Sequence, residues 1–127
     1  MADRPALVRN AADPDQVKRA RSIERRRDQR RRFAMKAVLA TADGRAVLAD
    51  IFDQAGIYGS VYDQSGSMMY FKEGRRNFGL ELRAFCESVD EEQVERLDVE
   101  RRARLRADDR EVQAAHTATA GEGDSNG

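Results

Sequence analysis

The chain has no tryptophan, one cysteine, one histidine and two prolines among its 127 residues. Each scarcity excludes something. A lone cysteine, Cys86, cannot close a disulfide within the chain and gives no sign of an oxidising compartment. It stands far from His116 in the sequence, so the two cannot make up a zinc ligand set, and the Asp and Glu residues show no calcium-loop spacing. No metal and no cofactor is expected. Cys86 falls on the apolar face of a predicted helix, where cysteine acts as a small hydrophobe, and His116 is a poor base for it. Neither Gly-x-Gly-x-x-Gly nor Gly-x-x-x-x-Gly-Lys-Ser/Thr occurs. No catalytic residue is assigned, and the chain reads as a non-enzyme. No apolar run approaches the roughly 18–20 residues of a membrane span. Residues 1–7 are too short and too polar for the apolar centre of a signal peptide. The expectation is a soluble protein that is intracellular at synthesis, with no membrane partner.

Charge is what the chain has in quantity. Charged residues make up 36%, against about 25% in an ordinary globular chain. The net charge of zero hides a division. Residues 1–36 hold 12 Lys/Arg against 5 Asp/Glu, and residues 37–127 hold 11 against 18. A basic arm is thus joined to an acidic body. Such arms are drawn to nucleic acid, anionic membranes or acidic protein faces, and they can also fold back on their own acidic half.

The periodicity predicts an all-α fold: a compact three-helix core, a long basic N-terminal helix, a polar C-terminal helix and disordered ends. The divisions are a disordered N-terminus at 1–13, a basic helical arm at 14–32, a helical core at 33–98, a polar extension at 99–116 and a disordered tail at 117–127. Asp13-Pro14 starts the first helix, with Asp13 as N-cap and Pro14 at the first helical position. Its first half carries Val17 and Ile23 as the only large apolar residues, so that half should project or fray. Its second half offers Phe33, Met35, Val38 and Leu39 to a core. Thr41 caps a second helix whose stripe is Val47, Leu48, Ile51, Phe52 and Ala55, and Gly56 stops it. A loop at 57–67 is too apolar to leave the helices. A third stripe follows at Phe71, Phe78, Leu82, Phe85, Cys86 and Val89. Ser88 and Glu91 match a capping box that would open a fourth helix.

The densest feature is Phe71-Lys72-Glu73-Gly74-Arg75-Arg76-Asn77-Phe78-Gly79-Leu80. Two glycines inside a helical pattern each cost about 1 kcal/mol relative to alanine. On one reading Gly74 ends an opening turn and Gly79 lets a neighbouring helix approach. On the other, Gly74, Arg75, Arg76 and Asn77 form a partner-binding spot that takes a carboxylate or phosphate on the planar fork of arginine. A third option leaves the arginines in a surface ion-pair network with Glu73 or Glu81. Arg25, Arg26, Arg27, Arg30, Arg31 and Arg32 are the candidate nucleic-acid contacts. They lack interleaved aromatics for base stacking and a following helix-turn-helix, so sequence-specific reading of DNA is not expected.

The block from residue 31 to residue 97 resembles a family of small tailed-bacteriophage proteins. The resemblance lies in an Arg-rich lead-in, Val38-Leu39-Ala40-Thr41-Ala42-Asp43-Gly44-Arg45, Ala55-Gly56-Ile57, and the distinctive stretch from Phe71 to Leu80. This chain has Met68-Met69-Tyr70 where relatives carry shorter polar-aromatic lead-ins. The resemblance implies a phage or prophage protein of podophage type, encoded near terminase and portal genes. It implies a role in head assembly, DNA packaging or the virion, with phage head or packaging proteins as partners. The place of action would be the host bacterial cytoplasm, with incorporation in the virion as a further option. It carries over no activity and no catalytic residues.

Overall fold

The computed structural model describes residues 12–124, which form helices α1 (Pro14–Leu39), α2 (Ala42–Ala55) and α3 (Gly66–Asp124). No strand occurs among the described residues, and the loop at 57–65 is built of turns and irregular backbone. Of the disorder expected at 1–13 and 117–127, residues 1–11 and 125–127 lie outside the described residues. Among the described residues, no helix is long and apolar enough to cross a membrane.

The helix ends follow the local chemistry. The Asp13 carboxylate accepts from the amides of Asp15 and Gln16, and Pro14 opens the helix with no amide to satisfy. The Thr41 hydroxyl accepts from the Gly44 amide, capping α2. Gly56 closes α2 in the left-handed region, at φ 79°, where glycine carries no Cβ penalty.

α3 is not one straight rod. Asp90 is non-helical, at φ −158° and ψ 88°, and divides it into limbs at 66–89 and 91–124. Over fifteen residues an unbroken helix would advance about 22 Å, yet Arg83 Nη1 lies 2.9 Å from Asp98 Oδ1. The limbs therefore fold back on each other. The cap sits two residues beyond the expected one. The Asp90 carboxylate accepts from the Gln93 amide, whereas the Ser88 hydroxyl donates to the Phe85 carbonyl within the preceding turn. Ser88 stays helical, while Asp90 takes the extended backbone that an N-cap requires.

The core is small: Leu39, Leu48, Ala49, Phe52, Ile57, Cys86, Val94 and Leu97 are buried, with Met35, Ala55, Leu82 and Val89 packed around them. The two limbs, α2 and the last turns of α1 supply it. Several residues expected inside lie outside. Phe33, Val38, Val47, Ile51, Phe71 and Phe78 are all exposed. Each helix lends the core a strip narrower than its apolar face, so the flanking members of every stripe stay in solvent.

Arg32 meets Ser88 and Met35 meets Cys86, so α1 runs antiparallel to the first limb. Residues 14–30 then lead away past the turn at Asp90. At the other end, residues 102–123 are exposed throughout. The helix continues through Thr117, where disorder is expected from composition, to Asp124. Ala114, Ala115, Ala118 and Ala120 favour helix there, and the Thr117 and Thr119 hydroxyls donate to carbonyls four residues back.

Candidate partner-binding surface

The stretch singled out in the sequence lies near the start of α3, against the C-terminal end of α2. Gly79 is the point of contact. A Cβ there would sit 2.6 Å from Ala55 Cβ and 2.7 Å from Ile57 Cγ2, so only glycine lets the two helices come this close. Gly74 ends no turn: it lies in the helix interior, exposed, with nothing within 4 Å of where a Cβ would be.

Arg75 bridges the two elements. Its Nη2 donates to the Gln54 carbonyl, and its guanidinium lies 5.5 Å from the Phe71 ring centroid. The last turn of α2 has no basic residue of its own, and Arg75 brings a cation to that negative end of the helix dipole. Shallow clefts flank it. One, of about 180 Å³, reaches Gly56, Ser60, Val61 and Lys72; the other, of about 210 Å³, reaches Ile51, Ala55 and Phe78. Lys72 is engaged by Asp63 at 2.9 Å, an interaction that also holds the Asp63 carboxyl below its usual range. Arg76 is half-buried, and its Nε is buried without a hydrogen-bond partner. Asn77 is exposed. The structure thus brings Arg75 together with Phe71, Phe78 and Ile51, and does not gather Gly74, Arg75, Arg76 and Asn77 around one cleft. Neither Glu73 nor Glu81 pairs with either arginine among the described residues.

Sequence reasoning passed over the arginines that hold the fold. Arg45 is 6% exposed. It donates to the Leu39 carbonyl at 2.9 Å, to Gln93 Oε1 at 3.1 Å and to the Glu100 carboxylate at 2.9–3.1 Å. It thereby ties α1, α2 and the second limb together, and it holds the Glu100 carboxyl below its usual range. Arg83 joins the limbs through Asp98, whose carboxyl it likewise holds low. Arg101 pairs with Asp53 and lies 3.6 Å from the Tyr58 ring centroid. Burial is the main influence raising the Tyr58 hydroxyl's pKa. The signal for Arg45 was its phase: with Leu48, Ala49 and Phe52 it follows the i, i+3, i+4, i+7 pattern of a buried face.

Of the candidate nucleic-acid residues, Arg31 and Arg32 are docked on α3. Arg31 lies 4.2 Å from the Phe85 ring centroid, and Arg32 bonds Asp28 and Ser88. Arg25, Arg26, Arg27 and Arg30 stay on the arm without an ion-pair partner among the described residues. Cys86 is fully buried, and burial pushes its thiol up to about 11. His116 is exposed on the second limb. Among the described residues, no three His, Cys, Asp or Glu side chains gather as a metal site would require.

The profile of a family described as Bbp19-like phage protein matches residues 35–105. The chain belongs to the Bbp19-like phage protein family. Comparison with curated proteins and with solved structures gives no match. The matched segment holds the buried cluster, all three structural arginines and the Phe71–Arg75–Phe78 surface. The Bbp19-like segment excludes the arm at 14–34 and the helix beyond 105. The match thus covers the packed centre, and both projecting helices lie outside it.

Proposed function

We propose that this Bbp19-like protein is a non-enzymatic phage accessory protein that works through protein–protein contact in head assembly, DNA packaging or the virion. A podophage-type source with the gene near terminase and portal genes belongs to the same reading, as does action in the host cytoplasm. One observation carries the reading: large apolar side chains within the family segment are left at the surface beside Arg75. Phe71 is 58% exposed, Phe78 50% and Ile51 37%. Scattered exposed apolar residues are ordinary, but adjacent ones around an arginine have the make-up of an interface. Phage head or packaging proteins are the partners proposed, with Arg75, Arg76 and Asn77 at the edge of the contact.

The double substitution Phe71→Ser with Phe78→Ser tests it. Because both rings are half or more exposed, the melting temperature should hold within a few degrees. Phage yield should fall, and so should the amount of the protein found by mass spectrometry in purified particles or bound to head proteins. Unchanged yield and unchanged association would overturn the reading. A second reading, non-sequence-specific nucleic-acid binding through the arm, is favoured by the unpaired cations of α1.

A further inference from the structure

We propose that the arm of α1 is built to lie in the major groove of B-form DNA, gripping phosphates on both groove walls without reading bases. The inference rests on the second reading above and gives it a substrate and a geometry. Its basis is how the charges are distributed around the helix. At 3.6 residues per turn, Arg19, Arg26 and Arg30 share one side with Ile23 and Phe33, and Ile23, Arg26, Arg30 and Phe33 do line one surface hollow. Lys18 and Arg25 fall on one flank and Arg27 on the other. Glu24 and Asp28 lie on the opposite side from Arg26.

The six cations therefore span a little over half of the circumference, with Glu24 and Asp28 in the remaining sector and Asp15, in the first turn, on the cationic side. A flat acidic protein surface would neutralise one face and leave both flanks unsatisfied. A groove with phosphates along both walls meets the inner side and both flanks together, and the carboxylate side points away from it. The dimensions agree. A helix with side chains is about 10–12 Å across, and the B-form major groove is about 12 Å wide. The deep, narrow major groove of A-form RNA would not admit the helix. Residues 14–30 span about 25 Å, along which duplex DNA presents on the order of 14 phosphates. None of the six cations named has an ion-pair partner among the described residues; five of them are exposed, and Arg27 is half-buried on the side of the buried Ala20.

The test is a salt titration of the full chain by fluorescence anisotropy against mixed-sequence duplex DNA, single-stranded DNA of the same sequence, duplex RNA and polyglutamate. Six phosphate contacts predict log Kd rising with log salt concentration at a slope of about 5. Arg19→Gln with Arg26→Gln and Arg30→Gln should lower that slope by about 3 with circular dichroism unchanged, since Gln sustains a helix about as well as Arg. Duplex DNA should bind at least tenfold tighter than the other three probes. Equal or tighter binding of single strands or duplex RNA would overturn the groove geometry while leaving nucleic-acid binding in place. Preference for polyglutamate, or no binding of any nucleic acid at about 50 mM salt, would overturn both. A triple variant with the wild-type slope would remove the arm from the contact.

Discussion

Gly79 and Gly74 lie five residues apart on one helix and predict opposite responses to the same substitution. A methyl group at Gly79 would overlap Ala55 and Ile57, and Ala55 offers no flexible side chain that could move aside. Gly79→Ala should force α3 away from α2 and cost about 1–3 kcal/mol, the usual range for overpacking. Gly74 has open space around it, so Gly74→Ala should stabilise by up to about 1 kcal/mol through helix propensity alone. Thermal melts of the two variants check both signs. The sequence made Gly79 legible, because a glycine within an apolar stripe signals close approach. It left Gly74 ambiguous, because an exposed glycine in a helix leaves the same trace as a turn. The partner of Arg75 was illegible: a backbone carbonyl on another helix leaves no mark in residue identities.

At the scale of elements, start and stop signals carried most of the information. Asp13, Pro14, Thr41 and Gly56 act as their chemistry dictates. The break before the second limb was readable to within two residues. Which side of each helix would be covered was not, because a core this small buries only the centre of each apolar stripe and leaves Val47, Ile51 and Phe78 in solvent. Nor was it evident that an arginine would sit inside. Arg45→Ala should destabilise strongly, by about 3 kcal/mol, because it strips the Leu39 carbonyl and Glu100 of a shared buried donor. Glu100→Gln should cost less, about 1 kcal/mol, since it removes charge from a partly solvated partner and retains an acceptor. Chemical denaturation of both variants would establish the order, and equal losses would contradict a buried role for the arginine.

For the whole molecule, the carboxylates Asp98 and Glu100 set the response to acid. Each is held below its ordinary pKa (3.8 for Asp, 4.5 for Glu) chiefly by a hydrogen bond from an arginine, Arg83 for Asp98 and Arg45 for Glu100. A depressed folded-state pKa means the unfolded chain binds protons first as pH falls. Their contribution is therefore complete above about pH 5 and is lost as pH drops below the ordinary carboxylate values. Melting temperature should be flat from neutral pH down to about 5 and fall below it, with the Arg45→Ala variant showing a shallower acid limb. The charge division between basic arm and acidic body was visible from residue counts alone. That the arm would leave the body instead of folding onto it followed from its shortage of apolar side chains.

Cys86 has a practical corollary. The only sulfhydryl in the chain is sealed between helices and resists ionisation, so maleimide dyes should ignore the folded protein. A single cysteine engineered at the tip of either projecting helix would then be the one position that takes up a fluorophore, and the native sequence would serve as its own unlabelled control.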